Sequence, residues 1–173
     1  TRDDVTIDAY VNMIRLKTSV LVAAALKMGA IVSETSEENA NLIYDFGLNL
    51  GLAFQLQDDY LDAFGDPETF GKQIGGDIIE NKKTYLYLKA LELSDEETSK
   101  KLKFFYQNKF SENNSKIEEV KRIFEINDIP LLISQEIRTF TDKAFDNLDK
   151  MNITKENKDK LRSFGTWLMN RTV

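Results

Sequence analysis

Phe54-Gln55-Leu56-Gln57-Asp58-Asp59-Tyr60-Leu61-Asp62, followed by Ala63 and Phe64-Gly65-Asp66-Pro67, is the stretch from which the fold can be read. Asp58 and Asp62 stand four residues apart, which on a helix places them on one face near its C-terminal end. Two effects oppose that placement. Like charges at this spacing repel by about 0.2–0.5 kcal/mol, and both carboxylates face the negative end of the helix dipole. A hard divalent cation removes the repulsion. Carboxylate oxygen is what Mg²⁺ prefers, and it often takes one or two from protein and the rest from phosphate and water. A solvated acidic patch is the competing reading of an isolated D-D-x-x-D.

Toward the N-terminus the same face carries Gln55, Gly51, Gly47, Tyr44 and Ala40. Glycine inside a helix costs about 1 kcal/mol relative to alanine. Two readings stand for Gly47 and Gly51: close helix packing, or room for an apolar ligand beneath a metal site. A face running from carboxylates through an amide to missing side chains suits a ligand with a charged head and an apolar tail.

Outward from this stretch the apolar periodicity is helical almost everywhere. A first helix is expected over about residues 7–32, its seam running Ile7, Tyr10, Ile14, Lys17, Leu21, Ala24, Met28 in alternating steps of three and four. Ser36 is the expected cap of a second helix, with Glu37 and Glu38 in its first turn. That helix should run unbroken from about Glu38 to Phe64 and stop at Gly65-Asp66-Pro67. A loop with Gly71, Gly75 and Gly76 follows, and helix resumes near Asp77 or Asn81, reaching about Leu93. Ser94 with Glu97 and Ser115 with Glu118 read as capping boxes. Pro130 opens a segment to about Met151, and Thr154 caps a last helix ending near Asn170. No strand alternation is long enough to build a sheet.

Lys17 interrupts the first seam. A buried lysine is rare unless paired, and snorkelling to the surface is the other outcome; ligand binding and snorkelling weigh equally on spacing alone. Thr18 adds a hydroxyl. In Gly71-Lys72-Gln73-Ile74-Gly75-Gly76-Asp77, Lys72 is bordered by glycines and can meet phosphate by backbone and ammonium together. The spacing is not that of a P-loop, and a solvated loop is the alternative.

Composition narrows the chemistry. The 173 residues are 42% hydrophobic and 30% charged, with net charge −6, which reads as one soluble domain with no nucleic-acid partner. No apolar run is long enough for a transmembrane segment. Cysteine and histidine are absent, which removes thiol chemistry, the commonest general base and the commonest zinc ligand. Catalysis would rest on carboxylates, lysines, amides, hydroxyls and oxygen-bound metal.

Taken together, Lys17-Thr18, Phe54 to Asp62, Phe64 to Pro67, Gly71-Lys72 and the D-I-x-x-N-K run from Asp77 to Lys82 resemble the second aspartate-rich motif and its surroundings in trans-polyprenyl diphosphate synthases, among them farnesyl and geranylgeranyl diphosphate synthases. The resemblance is strong through about Tyr85. It implies an all-α, isoprenoid-synthase-type antiparallel helix bundle around a deep cavity. It implies Mg²⁺ held by Asp58 and Asp62 and supported by Asp59 and Asp77. Lys17, Lys72 and Lys82 would contact the allylic diphosphate, and Thr18 and Gln55 would line the reaction centre. The implied activity is head-to-tail condensation of an allylic diphosphate with isopentenyl diphosphate, in a cytoplasmic homodimer. That family's first aspartate-rich motif, with its paired arginines, has no counterpart here: Asp3-Asp4 is followed by Val5. With a chain that opens at Thr1, this leads to the expectation that residues 1–173 are the C-terminal part of a single such domain, inactive alone.

Three other readings compete with this one. A terpene cyclase would carry an (N/D)-D-x-x-(S/T)-x-x-x-E metal motif, and none is found. A non-catalytic subunit of a heteromeric prenyl synthase fits poorly with intact aspartates and lysines. A plain helical interaction module leaves five motifs in register unexplained.

Overall fold

A computed structural model describes residues 5–66, 74–108, 110 and 112–170, and among these described residues the helical periodicity of the sequence becomes nine α-helices and one π turn. Among these residues there is no strand. The helices are α1 (Ile7–Ile14), α2 (Val20–Val32), α3 (Glu37–Phe64), α4 (Gly76–Ile79), α5 (Tyr85–Leu93), α6 (Glu96–Gln107), α7 (Asn113–Ile126), α8 (Ile129–Lys150) and α9 (Lys155–Met169). None of the described helices is long and apolar enough to cross a membrane.

The first helical tract departs from expectation. Between α1 and α2 lies a π turn, Arg15–Ser19, in which the Val20 amide donates to the Arg15 carbonyl. This wider turn takes up one extra residue. The buried stripe therefore steps five residues, from Ile14 to Ser19, and continues at Ala23. Lys17 and Leu21, expected on the seam, are carried off it. Lys17 is exposed, and Leu21 and Met28 are 73% and 59% exposed.

The chain divides into two compact units. One is built from residues 11–57 and 135–170 and is centred on Ile43, Phe46, Leu50, Ala144, Leu148 and Met151. Here α2 lies directly on α3. A Cβ at Gly47 would sit 2.8 Å from Leu26 Cδ1 and 2.9 Å from the Ala23 Cα, and a Cβ at Gly51 would sit 2.8 Å from the Ser19 Cα. The glycines serve close helix packing. The alternative expectation, room for an apolar ligand at these positions, is not what is found: both glycines are buried beneath the chain's own first helical tract. Asn39 ties the start of α3 to the α8–α9 turn, its side chain accepting from the Asn152 amide (2.8 Å) and donating to the Asn152 carbonyl (3.1 Å).

The other unit comprises the described parts of 1–10 and 58–134. Its interior holds Ile78, Leu86, Leu102, Val120, Phe124 and Ile129, and Tyr87 stacks on Tyr106 with centroids 4.0 Å apart. Gly75 is left-handed at φ 79°, and a Cβ there would meet Ile117 at 2.8 Å, so glycine answers both a backbone and a packing demand.

Helix ends follow the expected chemistry in part. Ser36 accepts from the Asn39 amide, and Thr154 from the Asn157 amide. The two proposed capping boxes do not form. Asp95, not Ser94, caps α6 by accepting from Thr98, because its carboxylate is one residue nearer the first turn. α7 starts at Asn113, which leaves Ser115 inside the helix. Helix after Gly75 comes as two pieces, α4 and α5, separated by a turn at Asn81, whose φ is 56°.

Candidate active site

Asp62, in the last turn of α3, organises the segment that returns beside it. Its backbone carbonyl accepts from the Gly75 amide at 2.6 Å. Its carboxylate accepts from the Asp77 amide at 2.9 Å, in the first turn of α4. A Cβ on Gly76 would lie 3.1 Å from the Asp62 carboxylate, so the small residue before Asp77 leaves space for that oxygen. Burial pushes the Asp62 carboxyl up to about 6; the bond from the Asp77 amide pulls against this, and the nearby Asp77 charge adds to it.

Asp77 in turn pairs with Lys82 at 2.8 Å, and Lys82 also reaches Glu80 at 2.8 Å. Those two bonds, with Asp77 first, hold the Lys82 ammonium above its usual range. The backbone closes the same turn, the Lys82 amide donating to the Asp77 carbonyl at 2.9 Å. Asp62, Asp77 and Lys82, singled out separately in the sequence, form one connected group.

Asp59 points elsewhere. It is 3% exposed and accepts a short hydrogen bond from the Tyr10 hydroxyl. Desolvation first, then the Asp59 carboxylate, raise the Tyr10 phenol far above its ordinary value. Tyr10 is a site neighbour that sequence reading missed. In the sequence it is one more position on the first apolar seam, and nothing local marks its hydroxyl as paired with a residue 49 positions away.

In the unit containing the π turn, the Thr18 hydroxyl donates to the Gln55 side-chain carbonyl at 3.2 Å, which brings together two residues expected at a reaction centre. Asp58 is half-buried on α3, one turn before Asp62. Lys17 is exposed on the π turn. Lys72 lies outside the described residues. Among the described residues no three carboxylates converge as a ready-made metal ligand set. The donor set instead suits a hard cation that takes one or two protein oxygens and completes its shell from phosphate and water.

A family model for polyprenyl synthetase matches residues 1–126. A short chain isoprenyl diphosphate synthase of Methanocaldococcus jannaschii is 40% identical over 121 residues, 70% of this chain and 36% of that protein. A crystal structure of a geranylgeranyl pyrophosphate synthase superposes with a TM-score of 0.92 at 50% identity, covering 99% of this chain and 53% of the other. A geranylgeranyl pyrophosphate synthase of Corynebacterium glutamicum, crystallised with isoprenyl diphosphate and magnesium, superposes with a TM-score of 0.86 at 26% identity, covering 96% of this chain and 47% of the other. The chain thus spans about a third to a half of the length of these relatives. By the match over most of its length, it belongs to the polyprenyl synthetase family.

Proposed function

We propose that the whole protein carrying this chain is a prenyltransferase that condenses an allylic diphosphate with isopentenyl diphosphate, and that residues 1–173 form the C-terminal part of its domain. The observation that carries the reading is the connected group at the end of α3, in which Asp62 holds Asp77 and Asp77 holds Lys82. A diphosphate-handling site needs carboxylates for a cation and ammonium groups for the anion within one small region, and this turn supplies both.

Asp58 and Asp62 would hold Mg²⁺, with Asp77 beside them and Asp59 fixing the helix behind through Tyr10. The bound cation would neutralise charge growing on the leaving diphosphate. Lys82 would exchange Asp77 and Glu80 for diphosphate oxygens, and by the family resemblance Lys17 and Lys72 would be two further ammonium contacts. Thr18 and Gln55, fixed to one another, present polar oxygens to the cation left on the allylic carbon. The double bond of isopentenyl diphosphate attacks that carbon, and the proton lost on elimination goes to the released diphosphate. No histidine is needed. Magnesium in the Corynebacterium relative supports the choice of metal.

A homodimer of the whole protein belongs to the same proposal; the apolar side chains that α2 exposes in this chain, among them Leu21, Met28, Ile31 and Val32, are open to cover by such a partner or by the rest of the domain. The test is an assay of the whole protein with labelled isopentenyl diphosphate, an allylic diphosphate and Mg²⁺, with sedimentation for subunit number. Chain elongation that stops on chelation is the expected result. A well-folded protein that binds neither diphosphate overturns the reading. Residues 1–173 alone should form no product, because they lack the first aspartate-rich motif; robust product from them would overturn the carry-over of the mechanism.

A further inference from the structure

Lys116, on α7, is 2% exposed, an unusual place for an ammonium. Its Nζ donates to the Asn81 side-chain oxygen at 2.5 Å and lies 3.5 Å from the Ile79 carbonyl. It also stands over the Tyr106 and Phe110 rings, 5.5 and 6.0 Å from their centroids. No carboxylate pairs with it among the described residues. Its partners are neutral oxygens and aromatic faces, and burial lowers its hold on the proton. An apolar residue would fill this position at less desolvation cost, so packing alone does not account for a lysine.

What the ammonium grips is the turn that carries the candidate site. Asn81 sits at φ 56°, a left-handed conformation that asparagine tolerates better than most residues. The next residue is Lys82, and the turn begins at Asp77, whose carbonyl accepts the Lys82 amide. In the D-I-x-x-N-K run, the aspartate and the lysine have roles in the proposed site and the asparagine had none. Here its side chain faces inward to Lys116 while Lys82 reaches Asp77.

We propose that Lys116 is a positioning residue for diphosphate binding: by holding Asn81 in its left-handed turn, it sets Asp77 and Lys82 at the geometry the anion requires. The proposal rests on the prenyltransferase reading for its effect on substrate, but the mechanical link from Lys116 to the turn does not.

The test uses the whole protein. Lys116→Met keeps the length of the stem and removes the donor. KM for the allylic diphosphate should rise about tenfold, the loss expected for one charge-assisted hydrogen bond, while kcat changes by less than about threefold because no reacting atom is touched. Lys116→Gln, which can still donate to Asn81, should recover most of the effect. Asn81→Gly keeps the left-handed backbone accessible and removes the acceptor. It should give the same rise in KM, and adding Lys116→Met to it should give no more. Hydrogen exchange supplies a readout free of activity: the Lys82 and Thr84 amides should exchange faster in Lys116→Met, while α9 amides do not change. Unchanged exchange at Lys82 and Thr84, or effects that add in the double variant, would overturn the link, whatever reaction the protein performs. Faster exchange with an unchanged KM would overturn its bearing on the diphosphate. If Lys116→Met fails to fold, Lys116→Gln and Asn81→Gly carry the same comparison.

Discussion

The hydroxyl of Tyr10, on α1, donates to the buried carboxylate of Asp59, on α3. Asp59 adjoins Asp58, so this bond fixes the back of the helix whose front carries the candidate metal ligands. Tyr10→Phe removes one bond to a charged acceptor and should lower stability by about 1.5–3 kcal/mol, read by urea unfolding at pH 7.

The same pair sets a dependence on alkaline pH. The phenol ionises near its ordinary value of 10.0 in the unfolded chain and keeps its proton to higher pH when folded. Unfolding above that value therefore releases a proton, and stability falls as pH rises. The contribution is whole below pH 10 and is lost above it. Unfolding midpoints at pH 9 and pH 11 should show a drop in the wild type that is smaller in Tyr10→Phe; equal drops would show that Tyr10 has no part in it.

Gly47 and Gly51 sit where α2 and the π turn approach α3. Alanine at either position gains about 1 kcal/mol of helix propensity but meets backbone at under 3 Å. The overpacking term, about 1–3 kcal/mol, should exceed the gain, since the atoms met include main-chain atoms of Ala23 and Ser19 that cannot rotate away. Thermal melts of Gly47→Ala and Gly51→Ala below wild type are expected. Melts above it would show that α2 moves readily.

Asp58→Ala separates chemistry from stability. Without metal, Asp58 faces a like charge one turn away at Asp62, so its removal should leave the melting temperature of the apo protein unchanged or slightly higher. Turnover by the whole protein should fall by about 10²–10³-fold, the scale seen when one stabilising contact to a developing charge is lost. A much lower apo melting temperature would show the carboxylate to be structural.

Metal and anion should stabilise the whole protein only together. Mg²⁺ often takes only one or two oxygens from protein and the rest from phosphate and water, so Mg²⁺ alone should gain little. A diphosphate analogue supplies the rest, and binding to the folded state then raises the melting temperature by mass action. Calorimetric melts with Mg²⁺, with analogue, and with both should shift only in the last case. A full shift with Mg²⁺ alone would mean that protein groups complete the coordination.

The long middle helix was legible because its signals are local and agree: Ser36 at one end, Gly65 at the other, and a consistent period between. The group formed by Asp62, Asp77 and Lys82 was legible as separate residues, since a motif names its members but not the bonds that join them. Three things were not. The π turn leaves no mark in a pattern read at period 3.6, so Lys17 and Leu21 fell on a seam they do not occupy. Tyr10 looked like any aromatic core residue until Asp59 was brought to it. Lys116 lies in a segment without a recognised motif, and its partner Asn81 is 35 residues away, beyond any helical or hairpin spacing.

The π turn at Arg15–Ser19 also bears on how the chain tolerates insertions and deletions. Removing one residue inside it would bring Ile14 and Ser19 to a spacing of four, the step of a plain α-helix. The side chains that bear on Gly47 and Gly51 would keep their places. The same deletion within Val20–Ala23 would swing everything before it by about 100° relative to Leu26 and take Ser19 away from Gly51. A one-residue change in length should therefore be survivable at the turn and disruptive a few positions later, which makes this joint the point at which the first helical tract can shorten without the rest of its unit being rebuilt.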